Sequence, residues 1–144
     1  MNKSLLVLIV FVFLGGCTSK KKSSKTTIPE SEIIIAFGSC NKQNLENFLW
    51  DDIKEADPLL WIWGGDIIYA DTDDVSKIRD LYNSQNKVSG YKKLKKNTQV
   101  IGTWDDHDYG LNDGGAEFVS KRESQQAFLD FFDVPAVNPR RMQE

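Results

Sequence analysis

The chain has 144 residues, a formal net charge of −3, two cysteines and one histidine. Its first 30 residues hold five lysines and one glutamate, so residues 31–144 carry −7. An acidic folded part excludes a nucleic-acid partner held by charge alone and leaves carboxylates free for cations, while the length suits one small domain or part of a larger one.

Lys3 precedes an apolar stretch from Leu5 to Leu14 that ends in Leu14-Gly15-Gly16-Cys17. This reads as an export signal with a small-residue cleavage site, too short for a comfortable membrane span. Leu-Gly-Gly-Cys resembles the bacterial lipobox. That implies a signal peptide over 1–16, lipidation of Cys17 and a membrane-anchored protein of the bacterial cell envelope; an ordinary signal with a free Cys17 thiol is the alternative. Residues 17–30 are Ser/Thr/Lys-rich with Ile28 as the one apolar side chain after Cys17, so they predict a flexible tether. With Cys17 acylated, Cys40 is the only thiol left and no internal disulfide can form.

Ile33–Phe37, Leu59–Trp63 and Gln99–Trp104 are short apolar or β-branched runs, the first two bounded by Gly38-Ser39 and Gly64-Gly65. Continuous hydrophobicity predicts strands of a parallel sheet covered on both faces. Between the first two, Leu45, Phe48, Leu49, Ile53 and Ala56 recur at helical spacing, closed by Pro58. A mostly polar helix follows from about Val75 to Leu94, with Ile78, Leu81 and Tyr82 inward and a possible break at Ser89-Gly90. A last amphipathic helix spans Phe118, Gln125, Phe128, Leu129 and Phe132 and ends by Pro135. The order β-α-β-α-β-α predicts an α/β fold with right-handed crossovers, in which ligands gather at the carboxyl ends of the strands. Asn138–Glu144 adds no closing element, so residues 31–144 read as the N-terminal part of a larger domain.

Three motifs fall at those strand ends. Cys40, two residues beyond the first strand, reads either as a thiolate ligand or as a small buried hydrophobe. Asp66 puts a carboxylate on the rim of an apolar strand, where a cation, an arginine or a helix N-cap role would offset the cost of an unpaired charge. Tyr69, one helical turn on, can converge with Asp66 on one cation or simply belong to the core. Asp105-Asp106-His107-Asp108 supplies four possible ligands or proton carriers behind a Trp-ended strand. Asp71-Thr72-Asp73-Asp74 and Asp113-Gly114-Gly115 read as turn chemistry with no catalytic role.

A two-metal site explains why carboxylates, a thiolate and a phenolate should meet, because a bridging oxygen can hold two cations that together activate a water. Sulfur and phenolate suit iron, and an oxygen-rich neighbour on the Asp106 side suits calcium or manganese. His107 would then donate to the phosphate or the leaving oxygen.

From about Ile33 to Pro135 the chain resembles the PhoD-like alkaline phosphatases of the calcineurin-type metallophosphoesterase superfamily. The resemblance rests on Gly38-Ser39-Cys40, Gly65-Asp66-Ile67-Ile68-Tyr69 and Trp104-Asp105-Asp106-His107-Asp108 in that order, followed by Lys121–Phe128. It implies a metallophosphoesterase-type β-sandwich flanked by helices, of which this chain supplies the first βαβαβα half, leaving apolar surface where the second sheet is missing. It further implies iron on Cys40, Asp66 and Tyr69, Asp66 bridging to calcium held partly by Asp106, His107 as the catalytic residue, and a phosphate mono- or diester as substrate. The other reading is a truncated or non-catalytic envelope lipoprotein that keeps the fold as a binding module.

Overall fold

A computed structural model describes residues 32–143; the signal sequence predicted over 1–16, Cys17 and the tether predicted over 17–30 lie outside the described residues. The described part is α/β. Strands β1 (Ile35–Gly38), β2 (Leu60–Gly64) and β3 (Gln99–Thr103) form one sheet in the order β1-β2-β3, both pairings parallel. Helix α1 (Leu49–Glu55) joins β1 to β2, and α2 (Val75–Lys87) and α3 (Ser89–Leu94) join β2 to β3. A single turn, α4 (Asp106–Tyr109), and α5 (Lys121–Phe131) follow, then a short 3-10 turn at Pro139–Met142.

The core lies against one face of the sheet. Trp61 and Trp63 project from β2 into a cluster with Trp50 of α1, Ile78 and Tyr82 of α2, Tyr91 and Leu94 of α3, and Phe128 and Phe131 of α5. Trp63 donates its indole N–H to the Tyr91 hydroxyl at 3.2 Å, which satisfies a polar atom that burial would otherwise strand. Gly38 and Gly102 flank Trp63 in register, and both sites need the missing side chain. A Cβ at Gly38 would lie 2.8 Å from the Trp61 ring, and one at Gly102 would lie 2.7 Å from Trp63 Cβ.

The other face is open, which corrects the expectation of two-sided cover. Ile35, Phe37 and Ile101 share it by register and are exposed, Phe37 by 81%. An unbroken apolar run does not tell a strand covered twice from one whose second face awaits a partner. Register does, and it predicts a sharp contrast. Trp61→Ala should cost about 3–5 kcal/mol of unfolding free energy, whereas Phe37→Ser should change it by no more than about 0.5 kcal/mol and reduce self-association. Urea unfolding and light scattering of the two variants check both.

Helix α1 also departs from its predicted span. Leu45, Phe48 and Leu49 are exposed, and the buried residue is Trp50, with Ile53 partly buried beside it. Asn47 accepts the Leu49 N–H at 2.9 Å, an Asx turn that starts the helix late and rotates Trp50 inward. The long polar helix breaks at Val88, whose extended ψ of 119° separates α2 from α3 one residue before Ser89-Gly90.

Candidate metal centre

All three motifs meet beyond the carboxyl ends of the strands. The loop after β1 turns at Cys40, whose φ of 55° is left-handed, a conformation that costs an L residue other than Asn or Asp about 1 kcal/mol or more. Asn41 holds that turn in place. Its N–H donates to the Asp66 carbonyl at 2.8 Å, and its buried amide donates to the Ile67 carbonyl and to Gln85 Oε1 of α2. The loop after β2 turns at Gly65, φ 99°, and at Asp66, φ 51°. A Cβ on Gly65 would lie 2.6 Å from Asp105 Cβ, so glycine lets the ends of β2 and β3 touch.

Asp66 is 9% exposed. Its Oδ2 accepts from the Tyr69 hydroxyl at 3.1 Å and from the Cys40 thiol at 3.6 Å, while its Oδ1 is buried with no partner. Burial, with the Cys40 and Asp66 groups beside it, pushes the Tyr69 phenol well above its ordinary pKa, so in the metal-free protein it is a neutral donor. No helix follows Asp66, which removes the N-cap reading. Tyr69 reaches Asp66 through an irregular loop and not across a helical turn. Cys40 is exposed and so is not the buried hydrophobe.

The third motif divides its labour. Asp105 caps α4, and Asp108 completes the capping box by accepting the Asp105 N–H at 3.1 Å. Asp108 is fully buried and also accepts from Ile67 N–H and the Tyr82 hydroxyl, each at 3.0 Å, so its role is structural. Asp106 and His107 turn instead to the site. Each of Asp66, Asp106 and His107 offers one ligand atom within 4.8 Å of the others, a cluster that can hold a metal ion. The Asp113 backbone N–H donates to Asp106 Oδ2 and holds that carboxyl below its ordinary range. The His107 ring lies 4.1 Å from the Tyr69 ring, centroid to centroid.

Thus Asp66, Asp106 and His107 come together directly, and Cys40 and Tyr69 join them through Asp66 Oδ2. Two neighbours carried no distinctive signal in sequence. Lys42, an ordinary lysine in a polar loop, places its ammonium 5.1 Å from the Tyr69 ring centroid. Asp71, read as turn chemistry, approaches His107 Nδ1 to 3.5 Å. Comparison with protein-family models, curated proteins and solved structures finds no match for this chain.

Proposed function

We propose that this chain carries the first half of a metal-dependent phosphoric ester hydrolase of the PhoD-like kind, exported and lipid-anchored through Cys17 in the bacterial envelope. The observation that carries the reading is Asp66. A carboxylate is buried there with one oxygen unpartnered, and Asp106, His107, a thiol and a phenol surround it. Leaving a buried charged acceptor unpaired costs several kcal/mol or more, and a cation is the economical remedy. The donor set fits the groups the resemblance implies: sulfur, phenol and carboxylate oxygen for iron, and the oxygens of Asp66 and Asp106 for calcium.

A pair of cations there would supply an activated water and neutralise phosphate oxygens. The protein's own residues bind and orient. Asp66 and Asp106 would hold the cations, and His107 would donate a hydrogen bond to the phosphate or a proton to the leaving oxygen. Lys42 adds a positive side chain placed against the Tyr69 ring. The adjoining cleft, about 540 Å³, has Asp71, Asp73, Asp113 and Glu117 in its walls, so an anionic ester would be repelled without bound cations. The open sheet face bearing Phe37 and Ile101 supports the further reading that a second sheet covers it to complete a sandwich.

The test is reconstitution of the protein, expressed from its reading frame to the natural stop codon, with iron and calcium, followed by metal analysis, visible absorption and turnover of a chromogenic phosphate ester. Saturable iron binding with a thiolate or phenolate absorption band, together with turnover, is the expected result. Cys40→Ser should lose the iron and the band while its unfolding free energy stays within about 0.5 kcal/mol of wild type. Cation binding without turnover would favour the binding module, and failure to bind either metal would overturn the site.

A further inference from the structure

His107 Nδ1 is buried and has no hydrogen-bond partner, while the side chain as a whole is 13% exposed. A buried ring nitrogen left unpaired costs about 1–3 kcal/mol, so a partner is expected. Among the described residues the carboxylate within ion-pair reach is Asp71, with Oδ1 at 3.5 Å. A formed N–H···O bond is about 2.9–3.0 Å long, and catalytic hydrogen bonds are often loose before ligand arrives. Asp71 can close the difference by side-chain rotation, because its side chain is 60% exposed.

Asp71 also has a built backbone. It sits in a left-handed turn, φ 46°, and the next residue, Thr72, donates its N–H to the carbonyl of Gly110, which ends α4 three residues after His107. A Cβ on Gly110 would lie 2.5 Å from the Thr72 carbonyl oxygen, so glycine is needed for the two segments to lie this close. The turn that carries Asp71 is therefore fastened to the element that carries His107. The Tyr69 ring beside the imidazole limits its plane.

We propose that Asp71 is the positioning residue for His107: it accepts the Nδ1 proton, so that Nε2 is the nitrogen turned to the Asp66–Asp106 cluster and, once it has taken up a proton, the one that donates. This rests on the reading of His107 as a functional group, and it adds a carboxylate that the sequence motifs do not contain. A histidine that works through one nitrogen commonly donates its other N–H to a carboxylate or carbonyl, which fixes tautomer and ring orientation.

Because His107 is the chain's only histidine, its ring nitrogens can be read without assignment. The experiment is a long-range proton–nitrogen correlation spectrum of the ¹⁵N-labelled full chain, with metals chelated and the pH high enough for a neutral imidazole. The expected wild-type spectrum has a protonated Nδ1 and a lone pair on Nε2. In Asp71→Gly, which removes the carboxylate and keeps the left-handed backbone without penalty, the two nitrogen shifts should exchange towards the Nε2–H form that imidazole side chains favour in water. Asp71→Asn retains a carbonyl acceptor and should keep Nδ1 protonated; it also decides the matter should the glycine variant fail to fold. An Nε2–H tautomer in the wild type, or a wild-type pattern that persists in folded Asp71→Gly, overturns the pairing. The measurement uses neither metal nor ester, so an inactive protein with the expected tautomer would sink the hydrolase reading alone, and an active one with the wrong tautomer would sink this inference alone.

Discussion

Asp66→Asn should abolish cation binding and hydrolysis while leaving the metal-free fold at least as stable as wild type. The two effects have opposite signs because Asp66 is placed at the expense of the fold. Its carboxylate is buried, one oxygen has no partner, and its backbone is left-handed at φ 51°. Asparagine tolerates that backbone conformation and is nearly isosteric, and it removes a buried charge of which one oxygen has no partner. Its amide can still accept the Tyr69 hydroxyl and Cys40 thiol through oxygen. What is lost is the charge at the centre of the Asp66, Asp106 and His107 cluster. Removing one electrostatic contact to the transition state costs about 10²–10³ in kcat, and a bridging ligand should cost at least that. Metal titration, ester turnover and urea unfolding of the chelated protein measure the three quantities separately. Wild-type-like cation affinity in Asp66→Asn would remove Asp66 from the site. A large loss of metal-free stability would instead make it a structural carboxylate like Asp108.

Much of this was legible in the sequence because the signals were local. Three apolar runs ending in glycine or in Trp-Asp gave three parallel strands, with β1 running Ile35–Gly38 where Ile33–Phe37 was expected. The convergence of Cys40, Asp66 and Tyr69 followed from putting each just past a strand, since parallel strands deliver their carboxyl ends to one rim. Legibility failed where contact depended on turns. Leu45, Phe48 and Leu49 have helical spacing, yet an Asx turn at Asn47 decides where the helix begins, and the buried residue is Trp50. Asp71 looked like any acidic turn residue, because its approach to His107 depends on two left-handed or glycine turns closing on each other. In Asp105–Asp108 four ligand-type side chains stood in a row. Only the direction of the single helical turn separates Asp106 and His107, facing the site, from Asp105 and Asp108, which hold it together.

That division makes Asp108→Ala as costly to stability as the core substitution Trp61→Ala. Asp108 is fully buried between three donors on three segments: Ile67 N–H after β2, the Tyr82 hydroxyl of α2 and Asp105 N–H at the start of α4. Alanine strands all three, each worth about 1–3 kcal/mol when left unpaired, so a loss of about 3–5 kcal/mol is expected, a large part of the 5–15 kcal/mol typical of a whole domain. Burial raises the Asp108 carboxyl from 3.8 to about 6, against the opposing pull of the Asp105, Tyr82 and Ile67 donors. A carboxyl raised on folding binds its proton more tightly in the native state. Its contribution is therefore fully present below about pH 4 and is lost as pH rises through about 6, amounting to roughly 3 kcal/mol across that window. Chelated wild-type protein should thus gain stability from pH 7 down to about pH 5, and Asp108→Ala should lack that slope and show its greatest deficit at the acid end. Asp106, held below the ordinary carboxylate range by the Asp113 N–H, titrates beneath the window. Urea unfolding at a series of pH values reads both the size of the loss and its sign. A deficit that grows towards pH 7 would mean that Asp108 acts as a stabilising buried anion, with the three donors outweighing desolvation.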